Sequence, residues 1–581
     1  MAVDQSPMNK LITEHIDIWT SAVKSKSASG RGSSKKLELY GVKKLRELIL
    51  ELAVQGKLVP QDPSDEPASV LLERIAAEKT QLVREKKTKK SKNLPPIIGE
   101  EPFALPKGWE FIRWGDMAHW AIGSGFPKSA QGQRGNSILF SKVSDMNLPG
   151  NEKYINTTAN TISEEAALKI KAKLHPKGTV IFPKIGGAIA TNKRRILTRS
   201  SAMDNNCLGL IPSVGITTDY LYLILNSTDL VAYQAGTSVP ALSQSTLELI
   251  VAALPPLSEQ HRIVAKVDEL MTLCDQLEQQ TEASIEAHQV LVTTLLDTLT
   301  NSANADELMQ NWARISEHFD TLFTTEESID QLKQTILQLA VMGKLVPQDP
   351  SDEPAAELLK RIADEKAQLV KDKVYQKTSK LKPRNELISY PKGWVGVQIG
   401  QVCPSIVPNR DRPKSFTGNI PWVTLPAFPQ ESLYLDSTKV ELALTETEVQ
   451  KYSARLIPEG SVLMSCVGRF GLTAINTIPV TSNQQVHAFI TLKGLLPEYL
   501  SMVIRVEGKV LETIATSTTI AYLNKTNCES IQFGLPPENE QRLIVEKAKE
   551  LIELCEQLKV RVKEFQATQH NLTDAIVEQA I

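Results

Sequence analysis

The sequence predicts an α+β protein made of two similar halves that are related by internal two-fold pseudo-symmetry. The first observation is a duplication, since Glu51–Ala68 returns almost unchanged as Gln338–Ala355. A repeat this far apart indicates a duplicated half-protein rather than a solenoid of short units. The second observation is a shared order of segments. Each half runs from amphipathic helices through a strand-rich region to a leucine-rich helix.

Two shorter motifs mark where each strand-rich region begins and ends. Pro-Lys-Gly-Trp occurs at 106–109 and 391–394, and Leu-Pro-Pro-x-x-Glu-Gln occurs at 254–260 and 535–541. The proline pair cannot continue a strand or sit inside a helix, so the second motif predicts a boundary. These marks divide the chain into an N-terminal extension 1–41, helical repeats 42–92 and 328–373, strand-rich domains 106–255 and 391–537, and long helices 257–300 and 541–581.

The helices are predicted from apolar spacing. Apolar residues from Leu45 to Leu52 recur at one helical face, and Gly56 stands where a glycine ends a helix. The long helices carry heptad-like apolar seams, the pattern of paired helices, whose packing leucines are Leu270, Leu277, Leu551 and Leu558. Between them, short β-type runs such as Gly178–Phe182 and Gly460–Met464 predict mixed α/β domains of similar scaffold.

Composition limits the class of protein. The chain of 581 residues has a net charge of −2, so any nucleic-acid contact must come from local patches. No stretch of apolar residues is long enough for a membrane span, and no charged-then-apolar leader is present. The six cysteines are scattered without a Cys-x-x-Cys pair. We therefore expect a soluble cytoplasmic protein with no metal site and no membrane partner.

Motifs for catalysis are missing from the sequence. An amino-methyltransferase needs Asn/Asp-Pro-Pro-Phe/Tyr, but the two proline pairs here follow Leu254 and Leu535. No Walker phosphate loop and no His-Glu-x-x-His motif occurs. The sequence thus predicts a binding protein that is not catalytic alone.

The repeated block, the Leu-Pro-Pro boundary and the seamed helices resemble the specificity subunit of type I restriction–modification systems, most closely its type IB branch. The resemblance spans most of 42–581 and implies two target recognition domains, at 106–255 and 391–537. It implies that the long helices pair antiparallel and hold these domains apart. It also implies double-stranded DNA, two modification subunits and two restriction subunits as partners. No cofactor is expected on this chain, since S-adenosylmethionine, ATP and Mg would be carried by the partner subunits.

The strongest local signal for DNA contact is a basic window. Between Ala166 and Met203 the chain has no Asp or Glu. Such a patch would neutralise phosphates and give salt-sensitive binding. Within this window the candidates are Lys184, Lys193, Arg194, Arg195 and Arg199, with 193–195 expected on a loop. A solvated basic face, or one that meets acidic partner subunits, is the alternative.

Further candidates lie on other loops. In the first domain they are Lys128, Gln131, Gln133, Arg134, Asn205 and Asn206, and in the second Arg410, Arg412, Lys414, Arg469, Asn483 and Gln484. The amide side chains could read adenine edges or could be turn residues. The alternative function is a helical protein-binding scaffold without sequence readout. A stand-alone enzyme is disfavoured by the missing motifs.

Overall fold

The structure is a computed structural model that describes residues 7–26, 36–85, 94–236, 239–303, 305–383, 388–408, 412–429, 432–514 and 522–581. The chain divides into two compact units of similar size. Unit 1 comprises residues 1–283 and 566–581, and unit 2 comprises residues 284–565. Both units mix helices with small sheets, so the predicted α+β class and the duplicated organisation are confirmed.

Among its described residues, unit 1 holds the first nine α-helices and fourteen strands. Its helices are α1 (Pro7–Glu14), α2 (Ile16–Ser21), α3 (Tyr40–Val54), α4 (Ala68–Arg84), α5 (Trp114–Met117), α6 (Glu164–Lys169), α7 (Thr218–Ser227), α8 (Gln244–Leu247) and α9 (Leu257–Asn301), whose last part belongs to unit 2. Its strands are β1 (Val23–Lys26), β2 (Lys36–Leu39), β3 (Glu110–Arg113), β4 (Ala118–Ile122), β5 (Ile138–Ser141), β6 (Tyr154–Ile155), β7 (Thr161–Ile162), β8 (Val180–Pro183), β9 (Arg195–Leu197), β10 (Ser201–Met203), β11 (Cys207–Pro212), β12 (Gln234–Ala235), β13 (Ala241–Leu242) and β14 (Val251–Leu254).

Unit 2 repeats this plan. Its helices are α10 (Ala305–Glu317), α11 (Phe319–Leu322), α12 (Glu326–Val341), α13 (Ala355–Lys371), α14 (Ile399–Val402), α15 (Glu446–Lys451), α16 (Pro497–Ile514), α17 (Lys525–Glu529) and α18 (Glu538–Ala580), whose last part belongs to unit 1. Its strands are β15 (Val395–Gln398), β16 (Ser405–Ile406), β17 (Ile420–Val423), β18 (Ala443–Leu444), β19 (Val462–Ser465), β20 (Thr473–Ile475), β21 (Thr481–Ser482), β22 (Val486–Phe489) and β23 (Gln532–Leu535).

The main sheet of unit 1 has the order β4-β11-β8-β9-β6. Strand β11 runs antiparallel to both neighbours, with Leu208 opposite Ile122 and Cys207 opposite Pro183. The carboxyl ends of β4 and β8 and the amino end of β11 therefore meet at one edge. The strands at this edge are buried, with Ala121, Ile181 and Cys207 in one apolar cluster.

The main sheet of unit 2 has the corresponding order β16-β22-β19-β20. Ile406 lies opposite Ala488, and Ser465 lies opposite Val486. The ends of β16 and β19 and the start of β22 thus share one edge, as in unit 1. The smaller sheets also correspond, since β10-β5-β7 and β18-β17-β21 each combine one parallel and one antiparallel pair.

The repeated motifs meet in the core of each unit. The indole Nε1 of Trp109 donates to Glu259 at 3.0 Å, and that of Trp394 donates to Glu540 at 2.8 Å. The tryptophan of the Pro-Lys-Gly-Trp motif is thereby tied to the glutamate of the boundary motif. Burial raises the pKa of Glu259 and of Glu540. The motifs thus fix where each strand-rich domain joins its helices.

The glycine of each duplicated block packs on the proline and tryptophan of the Pro-Lys-Gly-Trp motif in its own unit. Gly343 has φ +69°, and a Cβ there would lie 2.6 Å from Cγ of Pro391 and 2.9 Å from Cζ2 of Trp394. We expect Gly343→Ala to lower the free energy of unfolding by roughly 2–4 kcal/mol, since both left-handed strain and overpacking oppose it. Gly460, with φ +73° and nothing within 4 Å of a Cβ, is the matched control.

That pair of variants separates strain from packing. Gly460→Ala carries the backbone strain alone, about 1–2 kcal/mol. Denaturant unfolding of the full chain gives both values. Equal destabilisation by the two substitutions would show that the close contact of Gly343 with the Pro391–Trp394 motif adds nothing.

The four predicted packing leucines of the long helices are buried or partly buried. Leu270 is fully buried in unit 1, Leu277 is half-buried, and Leu551 and Leu558 pack against the main core of unit 2. Antiparallel pairing of the two helices stays a prediction. No described helix is both long and apolar enough to cross a membrane.

The N-terminal extension, for which the sequence predicted no structure, folds onto unit 1. Trp19 of α2 is fully buried, and a Cβ on Gly41 would lie 2.4 Å from its carbonyl oxygen. The end of α18 contacts this region, because Tyr40 donates to Asp574 at 2.7 Å.

Candidate nucleic-acid interface

Three loops of unit 1 meet at the sheet edge where β4 and β8 end and β11 begins, which we call the first edge. They are residues 123–134 after β4, 184–187 after β8, and 204–206 before β11. The amide of Ser124 donates to the carbonyl of Met203 at 2.8 Å, and the amide of Lys184 donates to that of Asn206 at 2.8 Å. Backbone hydrogen bonds therefore hold all three loops together.

Close contact at this edge requires a glycine. A Cβ on Gly123 would lie 1.8 Å from the carbonyl oxygen of Asp204. The Ser124 hydroxyl accepts a hydrogen bond from the backbone amide of Lys173 at 2.8 Å. This bond brings a fourth chain segment, which belongs to the basic window, to the first edge. Sequence reasoning missed Ser124 and Asp204 as positioning residues, because neither belongs to a motif.

The first edge carries cations for which the described residues provide no ion-pair partner. Lys128 and Arg134 are exposed and Lys184 is half-exposed. Within the part of the chain that the structure describes, none of the three forms an ion pair. Gln133 is exposed beside Arg134. Unpaired cations on a rigid rim are suited to phosphate oxygens, and Arg also fits guanine edges.

Gln131 does not present its amide for base reading. Its Nε2 donates to the carbonyl of Phe126 at 2.9 Å, and its Oε1 accepts from Nζ of Lys142 at 2.9 Å. The ring of Phe126 stacks on Phe140 with centroids 3.7 Å apart. Gln131 thus braces the loop internally, and its role as a DNA contact stays a prediction.

Arg194 was predicted as a candidate DNA contact, and its burial contradicts this prediction. The side chain is 1% exposed. Its guanidinium donates to the carbonyl of Leu225 at 3.2 Å and to Oδ1 of Asn192 at 2.8 Å, and it lies 5.6 Å from the Phe182 ring centroid. Burial lowers its pKa to about 10, so it stays charged at neutral pH. Arg194 is a structural residue that ties β9 to α7.

The neighbours of Arg194 are also engaged with the fold. Arg195 begins strand β9 instead of lying on a loop, and its guanidinium donates to the carbonyl of Met146 at 2.8 Å. Lys193 hydrogen-bonds the side chain of Asn147. Arg199 is exposed. Among these cations, only the Arg199 side chain makes no hydrogen bond with the described residues.

The Asn205–Asn206 pair forms the turn between β10 and β11 at the first edge. Both side chains are exposed. The Asn206 amide donates to Oδ2 of Asp204 at 3.2 Å. Asn205 is consequently better placed than Asn206 to meet a base, since Asn206 supports the turn itself.

The corresponding edge of unit 2, which we call the second edge, collects most of the other candidates. The loop after β16 brings exposed Arg412 and Lys414, and the loop after β19 brings exposed Arg469. Arg412 lies 5.5 Å from the Phe416 ring centroid. Arg410 lies outside the described residues.

The amide pair of the second edge precedes β22. Asn483 is half-buried, and its Nδ2 donates to Oε1 of Gln485 at 3.1 Å. Gln484 between them is exposed. In this turn the Gln484 side chain faces outward. The Asn483 side chain makes a hydrogen bond within the turn, as the Asn206 side chain does in unit 1.

Comparison with known proteins gives the family. A family model for the type I restriction modification DNA specificity domain matches residues 106–287 and 391–564. The chain is 37% identical to the type I restriction enzyme EcoAI specificity subunit of Escherichia coli, over 99% of this chain and 100% of that protein. It is 38% identical to the EcoEI specificity subunit of the same organism, over 99% and 100%.

A solved structure supports the same fold. A chain from a study of complex assembly and conformational transition of the type I R-M system matches with a TM-score of 0.50 at 18% identity, over 82% of this chain and 99% of that one. The duplicated scaffold and the family match together define a DNA-recognition component rather than a catalytic chain. This chain belongs to the specificity subunits of type I restriction enzymes.

Proposed function

We propose that the chain recognises a split DNA sequence, with the first edge reading one half-site and the second edge reading the other. The observation that carries this proposal is that equivalent strands build both edges while different side chains occupy them. Lys184 after β8 corresponds to Cys466 after β19, since their amides donate to Asn206 and Gln485 respectively. One scaffold with two sets of loop residues suits two different half-sites.

The chain would act within a larger assembly. We propose that two modification subunits carry S-adenosylmethionine and methylate adenine N6 after base flipping. Two restriction subunits would use ATP and Mg to complete the nuclease. The cytoplasm is the compartment we propose for this assembly, and double-stranded DNA is its ligand.

A helical scaffold without sequence readout is the alternative function. The unpaired cations at the first edge favour DNA, because a helical scaffold needs no positive rim on its strand domains.

Mapping methylation tests this function directly. We expect co-expression with the neighbouring methyltransferase gene, in a host that lacks DNA methylation, to mark one adenine on each strand of a split motif. Single-molecule sequencing reads the motif and the gap between its halves. The reason is that each recognition domain would place one methyltransferase over its own half-site.

The control is the same methyltransferase paired with another specificity subunit. Methylation with that subunit but none with this chain would favour the scaffold. Methylation of one continuous motif, without a gap, would contradict the proposal that the two edges recognise separate half-sites. It would still show DNA recognition by the chain.

A further inference from the structure

Three potential metal ligands meet inside unit 2 although they are far apart in the sequence. They are Cys466, His487 and Cys528, and their ligand atoms all lie within 4.8 Å of one another. The residues are 3%, 2% and 0% exposed. The sequence predicted no metal site, because the cysteines form no short-range pair. The three residues are distant in the sequence but adjacent in the folded chain.

The geometry of the cluster fits a tetrahedral soft-metal site. The two sulfur atoms lie 3.9 Å apart. Two thiolates on one Zn²⁺, at about 2.3 Å each and with tetrahedral angles, lie about 3.8 Å apart. Among the described residues, Nε2 of buried His487 finds no hydrogen-bond partner outside this cluster. A buried imidazole nitrogen without a partner is costly unless something binds it.

The backbone holds the three ligands in place. Cys466 directly follows β19, His487 lies in the adjacent strand β22, and Cys528 lies in α17. The amide of Cys466 donates to the carbonyl of Gln485 at 2.9 Å, and its carbonyl accepts from the amide of Leu523 at 3.0 Å. The ligands therefore sit on paired backbone segments, which is the preorganisation that a metal site requires.

Unit 1 shows that the fold does not need these residues. The same backbone bonds join Lys184 to Asn206 and Leu242 to Lys184, at 2.8 and 2.9 Å. These bonds match Lys184, Asn206 and Leu242 with Cys466, Gln485 and Leu523. His487 lies two residues after Gln485 and Cys528 five residues after Leu523, so their equivalents in unit 1 are Leu208 and Leu247. The two leucines are buried at 2% and 0%. Unit 1 therefore has buried leucines at two of these positions and Lys184 at the third, whereas unit 2 carries ligand atoms at all three.

We propose that Cys466, His487 and Cys528 bind one Zn²⁺ ion. Two thiolates and one imidazole would supply three ligands, and water would take the fourth position. Binding releases the thiol protons to solvent, with no change of oxidation state. The ion would fasten α17 to the main sheet of unit 2.

The site lies at the base of the second edge. Cys466 directly precedes the loop that bears Arg469, and His487 follows the turn that bears Asn483 and Gln484. The metal would therefore position the loops of one half-site and not the other. This consequence for DNA rests on the proposed function, whereas metal binding itself does not.

Metal analysis of the full chain, purified under reducing conditions with zinc in the growth medium, tests the proposal. We expect about one zinc per chain by mass spectrometry of the elements. Replacement of the zinc with Co²⁺ should produce thiolate-to-cobalt charge-transfer bands and the visible bands of a tetrahedral ion. Absence of both zinc and a cobalt spectrum in the reduced wild-type chain would overturn the proposal.

The variant H487L/C528L places the unit 1 residues in unit 2. We expect it to fold and to lose the zinc. The matched control is Cys207→Ala, which removes an equally buried thiol of unit 1 and should keep the metal. Zinc retained by H487L/C528L would refute the assignment of these ligands. If that variant does not fold, X-ray absorption of the wild-type zinc still decides, because sulfur and nitrogen ligands support the site and oxygen-only ligation overturns it.

A disulfide between Cys466 and Cys528 is the competing outcome. Alkylation without prior reduction, followed by peptide mass spectrometry, distinguishes it from a metal. A linked pair in protein kept under reducing conditions would overturn the zinc site. Loss of zinc with unchanged DNA binding would leave the metal proposal standing and refute only its role at the second edge.

Discussion

Replacing Arg134 and Lys184 with alanine should weaken binding of the assembled complex to its DNA site roughly thirtyfold at about 0.15 M salt. The two residues come from different loops of the first edge, and neither forms an ion pair among the described residues. Each phosphate contact adds about 0.9 to the dependence of log affinity on log salt. The slope should therefore fall by about two when both cations are removed.

The control variant also removes two positive charges, but at positions away from the first edge. Lys107 and Lys177 are exposed and lie away from the first edge, Lys177 at the opposite end of β8. Their double alanine variant should change affinity and slope little. Titrating labelled DNA at several salt concentrations measures both quantities. An unchanged slope for the edge variant, or an equal change in the control, would remove the first edge from the DNA interface.

Arg194→Ala should lower the free energy of unfolding by roughly 3–5 kcal/mol, although the residue stands in the middle of the basic window. The guanidinium donates to the carbonyls of Leu225 and Lys193 and to Asn192, and the substitution leaves a cavity and the buried Leu225 carbonyl without this donor. Denaturant unfolding of the full chain, followed by a probe in unit 1, measures the loss.

Arg194→Lys separates charge from hydrogen bonding. It keeps the positive charge but cannot reproduce the planar set of donors, so its stability should fall between wild type and alanine. Lys177→Ala, at an exposed position of the same basic window, should stay within about 0.5 kcal/mol of wild type. A stable Arg194→Ala variant with a reduced salt slope would mean that the guanidinium faces DNA after all.

The sequence by itself determined the duplication, the order of segments and the family. These features are local or repetitive, so spacing rules and motif identity detect them. The Pro-Lys-Gly-Trp and Leu-Pro-Pro-x-x-Glu-Gln motifs were visible as boundaries, and in the structure Trp109 donates to Glu259 across that boundary. The sequence also predicted DNA contacts on the loops that form the first edge, since their residues are basic or amide-bearing.

Tertiary structure alone decided which charged residues face outward and which distant residues meet. Arg194 and Lys184 belong to the same acid-free window, yet Arg194 is buried against Phe182 and Lys184 is not. Composition cannot separate them, because the direction of a side chain depends on strand register and on the helix packed behind it. The meeting of Cys466 with Cys528 follows from the same cause, since pairing of strands and helices sets distances that chain separation does not contain.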